Sequence, residues 1–122
     1  MRLMVYPWMG KEFIALCAEG KPGLPADQAA RELLDRFDGL LKERELSLDH
    51  TVRSRLWGRD REARGLGSLG RVAILSGRAR SASSSYIAPD HFESDAAVAL
   101  DLWAMRPARA GAQKSYEFVQ WS

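Results

Sequence analysis

The chain has 122 residues, 46% of them hydrophobic and 28% charged, which suits one domain with a real core. A net charge of only +2 excludes a nucleic-acid tail or a polybasic membrane anchor as the dominant feature. The single cysteine, Cys17, excludes an intrachain disulfide and suits a reducing compartment.

"RLMVYPW" and "EFIALCA" are short apolar segments separated by Met9, Gly10 and Lys11, so a β-hairpin turning at Gly10 is expected. Cys17 lies in the second segment, where a buried, inert thiol is expected. No apolar run reaches transmembrane length, and the N-terminus lacks a signal-peptide core, so a cytoplasmic protein without membrane contact is expected. "GKPG", residues 20–23, breaks the sheet. From Pro25 the period changes: Ala30, Leu33, Leu34, Phe37, Leu40 and Leu41 form one helical stripe. Asp27 near its start and Lys42 and Arg44 near its end suit the helix dipole.

Alternation of Val52, Ser54 and Leu56 with Arg53, Arg55 and Trp57 predicts a strand over 51–57. The basic run "RSRLWGRDREAR" holds acids among its arginines and reads as a helix cap or ion-pair surface before a nucleic-acid patch. Gly65, Gly67 and Gly70 predict a loop feeding a short helix over about 68–75. The same glycines match GxGxxG, but no buried parallel strand precedes them as a dinucleotide site requires. Further on, "AAVALDLWAM" alternates with apolar residues on both faces, so a strand covered on both sides is expected, with Asp101 its lone charge. Residues 106–115 read as a flexible connection to a C-terminal edge strand. The element order is β-β-α-β-α-β-β, one α+β domain over 1–122.

His50, His91 and Cys17 form no metal-ligand spacing, so no cofactor is expected. The stretch "GRARSASSSYIAP", residues 77–89, holds the most suggestive chemistry. A strand over about 79–87 would put Arg78, Arg80, Ala82 and Ser84 on one face, with small neighbours leaving a hollow beside Arg80. A guanidinium in such a hollow takes a carboxylate through paired hydrogen bonds. Equally, Arg80 could sit in a structural ion pair with Asp101 or Asp95. Tyr86 would share the Arg80 face, to line a cleft or to pack the strand. Trp57 and Trp103 read as core or interface aromatics.

Four segments in order resemble the RidA (YjgF/YER057c/UK114) family: "GKEFIALCAEG", "SLDHTVRSRLWGRD", "ARSAS" and "VALDLWAM". The chain is identified as a divergent member. The resemblance implies a chorismate-mutase-like fold, a mixed β-sheet with two helices packed on one face, assembled as a homotrimeric barrel with clefts between subunits. It implies hydrolysis of small imines or enamines of the 2-aminoacrylate type to 2-keto acids and ammonia, without a cofactor. Arg80 would hold the substrate carboxylate, with Ser81 and Ala82 beside it. Ser68 would stand nearest to a family asparagine, and Asp101, or Asp95 in an ungapped alignment, would handle a water or proton. The family's Gly-Pro-Tyr-Ser segment is absent, and Ala82 replaces a cysteine. These departures leave two alternatives open: a non-catalytic trimeric carboxylate-binding protein, or a catabolic deaminase acting on a ring-derived unsaturated acid. With little net charge and no aromatic platform in a basic groove, RNA cleavage ranks last.

Overall fold

A computed structural model of the chain describes residues 1–107 apart from Met9. The expected C-terminal strand lies outside the described residues, as does all but the start of the flexible connection at 106–115. Strands β1 (Arg2–Trp8) and β2 (Lys11–Glu19) pair antiparallel as the expected hairpin. Gly10 has φ 75°, left-handed backbone that a side chain resists. Helix α1 (Ala26–Lys42) buries Ala29, Ala30, Leu33, Leu34, Phe37 and Leu41, close to the stripe read from its spacing. Each large member contributes about 1.5–3 kcal/mol by leaving water.

Strand β3 (Thr51–Gly58), helix α2 (Arg61–Ile74), strand β4 (Ala82–Ile87) and strand β5 (Val98–Met105) complete the order. The sheet runs β1-β2-β5-β3-β4, antiparallel except for β3 with β4, which α2 connects. The last strand thus inserts into the middle, between β2 and β3. That position explains its apolar composition: Val98 to Leu102 are all buried.

Two expectations are corrected. α2 starts at Arg61, well before the expected 68, and contains all three glycines rather than following them as a loop. Asp60 caps it, its Oδ1 accepting from the Ala63 amide at 2.8 Å. A Cβ on Gly67 would lie 2.8 Å from Val98 Cγ1, and one on Gly70 would lie 2.4 Å from the Asp27 carbonyl oxygen of α1. The glycines are therefore contact points of a closely packed helix. Tertiary contact outweighs a propensity loss of about 1 kcal/mol per glycine. The second correction concerns the strand expected at 79–87. Residues Gly77–Ala79 form a 3-10 turn, and β4 begins only at Ala82. Arg78 and Arg80 consequently do not share a strand face with Ala82 and Ser84.

The approach to β5 is fixed by Glu19. Its carboxylate accepts from the Glu93 and Ser94 amides, each at 3.0 Å, and from the Ser94 hydroxyl at 2.7 Å. The Ser94 hydroxyl and then the two amides hold its pKa below the usual carboxylate value, against some desolvation. A depressed folded-state pKa contributes stability above the unfolded value of about 4.3, and that contribution fades as pH falls through the folded value. Glu19→Gln should therefore cost about 1 kcal/mol at neutral pH. Urea midpoints of the two proteins should converge on acidification. A gap that is constant with pH would contradict the assignment.

Candidate functional site

Strand alternation sorts the chemistry onto two faces. On β3, Ser54 and Leu56 point toward the helices, whereas Arg53, Arg55 and Trp57 point to the open face. β4 is in register with β3, so Ser83 and Ser85 face the helices, and Ala82, Ser84 and Tyr86 the open side.

On the helix side, where α2 meets the β4 edge, lies a cavity of about 410 Å³. Arg71, Arg80, Ser54, Ser76, Ser81 and Ser83 supply its polar lining, and among the described residues none that lines it is acidic. Arg71 comes from α2 and is only 5% exposed. Its Nη1 donates to the Ser84 carbonyl and its Nη2 to Ser85 Oγ, both at 2.7 Å. Ser85 Oγ in turn lies 2.9 Å from Ser68 Oγ. Burial pushes the Arg71 pKa down, yet a guanidinium stays charged at physiological pH. Three residues bordering this cavity carry a buried polar atom without a hydrogen-bond partner: Arg71 Nε, Ser54 Oγ and Ser81 Oγ. Orphaned buried groups are rare, and three of them cluster on residues of this one cavity.

The open face holds a second arrangement. Asp101 is 8% exposed and is gripped by Arg55, with Nη2 at 2.6 Å from Oδ2 and Nε at 3.1 Å from both carboxylate oxygens. The two residues face each other directly across β3 and β5. This hydrogen-bonded acid raises the Arg55 pKa. Arg55 also lies 5.1 Å from the Trp57 ring centre, and Arg53 lies 5.6 Å from that of Trp103. Trp57 stacks on Tyr86 and on His91. Cys17, expected buried, is exposed on this face. Partial desolvation, then Asp101, push its thiol pKa up.

Of the residues expected to bind substrate, the cavity brings together Arg80 and Ser81 alone. Ser68 stands behind it, hydrogen-bonded to Ser85, while Ala82 and Tyr86 face the other side of the sheet. Asp101 pairs with Arg55, not with Arg80, and the sheet separates it from the Arg80 cavity of its own chain. The sequence reading missed Arg71 and Ser54. Among the described residues no group of His, Cys, Asp and Glu could hold a metal ion, and no helix is long and apolar enough to cross a membrane.

Two helices on one face of a mixed sheet ordered β1-β2-β5-β3-β4 define an α+β fold, that of the YjgF/RidA family. A yjgF-family protein from Streptococcus pyogenes superposes with TM-score 0.65 at 18% identity, over 87% of this chain and 98% of that one. A YjgF/YER057c/UK114-family protein from Mycobacterium tuberculosis gives 0.63 at 17% identity, over 75% and 77%. Yeast Mmf1 gives 0.66 at 12% identity, over 80% and 85%. No family model and no curated protein matches the sequence. At these identities the likeness fixes the fold.

Proposed function

We propose that this chain is a divergent RidA-family protein that binds a small carboxylate-bearing metabolite in the cavity between α2 and β4. The observation that carries this reading is the convergence of unsatisfied Ser54, Ser81 and Arg71 on a cavity that Arg80 also lines and that no acid borders among the described residues. A carboxylate supplies the acceptors these donors lack, and each charge-assisted contact contributes about 1.5–3 kcal/mol.

Hydrolysis of an imine or enamine of the 2-aminoacrylate type is the second reading, favoured by the two orphaned hydroxyls, which suit a water held beside a bound C=N carbon. Water adds to that carbon, the carbinolamine expels ammonia, and a 2-keto acid remains. Among the described residues, none lining the cavity is a general acid or base. Asp101 would serve only from another copy, across a cleft of the homotrimer that the family resemblance implies. A positioned acid–base group would give about 10²–10⁴-fold.

Calorimetric titration with 2-ketobutyrate tests the first reading: Arg80→Ala should weaken binding at least about tenfold. Ammonia release from 2-aminoacrylate generated in situ tests the second. Binding without turnover leaves a carboxylate-binding protein, whereas turnover lost in Asp101→Asn supports the hydrolase. Absence of both sinks the site.

A further inference from the structure

The charge on Arg71 exceeds what a monocarboxylate held by Arg80 would balance. Arg71 is 5% exposed, and among the described residues no carboxylate pairs with it. Its two terminal nitrogens are spent on neutral acceptors of β4, the Ser84 carbonyl and Ser85 Oγ. Nε has no partner. Hydrogen bonds to neutral oxygens orient a guanidinium but do not neutralise it, and an uncompensated buried charge is strongly unfavourable. Resting on the reading that Arg80 and Ser81 take one carboxylate, we propose that the ligand is a dicarboxylate whose second acidic group meets Arg71.

The two arginines border the cavity from different elements, one from α2 and one from the segment before β4. This separation suits two acidic groups on one carbon skeleton better than both charges on a single phosphorus. Arg71 is anchored to β4 through Nη1 and Nη2, so it meets the second group with a fixed edge and little rotamer entropy to lose. Ser54 Oγ, on a residue 1% exposed, is one more partnerless group for the ligand at the same cavity. A cavity of about 410 Å³ has room for a short diacid. Arg71 is thereby a specificity-determining residue.

The test is a calorimetric panel on the intact protein at fixed ionic strength, with succinate and 2-oxoglutarate against 2-ketobutyrate and inorganic phosphate. Dicarboxylates should bind at least about tenfold more tightly than 2-ketobutyrate. In Arg71→Met the ratio of dicarboxylate to 2-ketobutyrate affinity should fall to about onefold. Arg71→Lys should keep part of it, because the charge stays and the planar hold on β4 goes. The wild-type panel decides the matter even if the methionine variant does not fold. Equal affinity for mono- and dicarboxylates overturns the diacid and leaves the Arg80 reading standing. Phosphate bound ahead of every carboxylate overturns it too. No binding by any anion removes the Arg80 reading and this inference together.

Discussion

Gly70→Ala should destabilise the protein by about 2–3 kcal/mol, although the same exchange in an isolated helix would stabilise it by about 1 kcal/mol. The new methyl would stand 2.4 Å from the carbonyl oxygen of Asp27, which belongs to the backbone of α1 and cannot rotate away. Relief requires the two helices to separate, and separation opens the core that Leu33 and Phe37 fill. The neighbouring positions form an internal scale. At Gly67 the obstacles are side-chain atoms, Val98 Cγ1 at 2.8 Å and Leu56 Cδ1 at 3.0 Å, so Gly67→Ala should cost less. At Gly65 nothing lies within 4 Å, and Gly65→Ala should stabilise by about 0.5–1 kcal/mol. Urea unfolding midpoints would place the three variants in that order. A Gly70→Ala protein as stable as the parent would refute the close packing of α1 on α2.

Those glycines also explain where the sequence misleads. The hairpin, α1, β3 and β5 are legible because hydrophobic period alone specifies them, and burial in the fold follows that period. In α2 the buried stripe is Ala63, Gly67, Gly70 and Arg71, four residues that hydropathy scores as small or polar. Contact distance, not apolar area, selected them. The same feature hid Arg71, since an arginine after a run of glycines reads as solvent-facing. Extending the helical period back to Asp60 would have revealed it, because Arg71 then falls one turn after Gly67 on the packed face. Arg80 and Ser81 were legible as chemistry but not as geometry: the turn at Gly77–Ala79 brings them to the cavity, and no strand pattern announces it. The partner of Asp101 depended on register. Arg55 is 46 residues away in sequence, and only the β3–β5 pairing sets the two opposite each other.

That pairing yields the other large effect. Asp101→Ala should cost about 2–3 kcal/mol, between the small value of exposed ion pairs and the 3–5 kcal/mol of fully buried ones. The intermediate placing follows from the exposure of the two side chains, 33% for Arg55 and 12% for Asp101. A double-mutant cycle with Arg55→Met should show that the second truncation adds little once the first is made, because each residue alone leaves its neighbour's charge unbalanced. Cys17 provides a readout that folding energy does not supply. Asp101 raises the thiol pKa, while Arg2 and Arg55 lower it. Loss of the carboxylate removes a like charge from the thiolate and leaves Arg55 unopposed, so the pKa must fall. The reaction of Cys17, the only cysteine, with an aromatic disulfide should therefore reach half its limiting rate at a lower pH in Asp101→Ala. In Arg55→Met the shift should run the other way. Opposite displacements would establish Asp101 and Arg55 as one charge network on the open face; profiles that coincide with the parent would place Cys17 outside it.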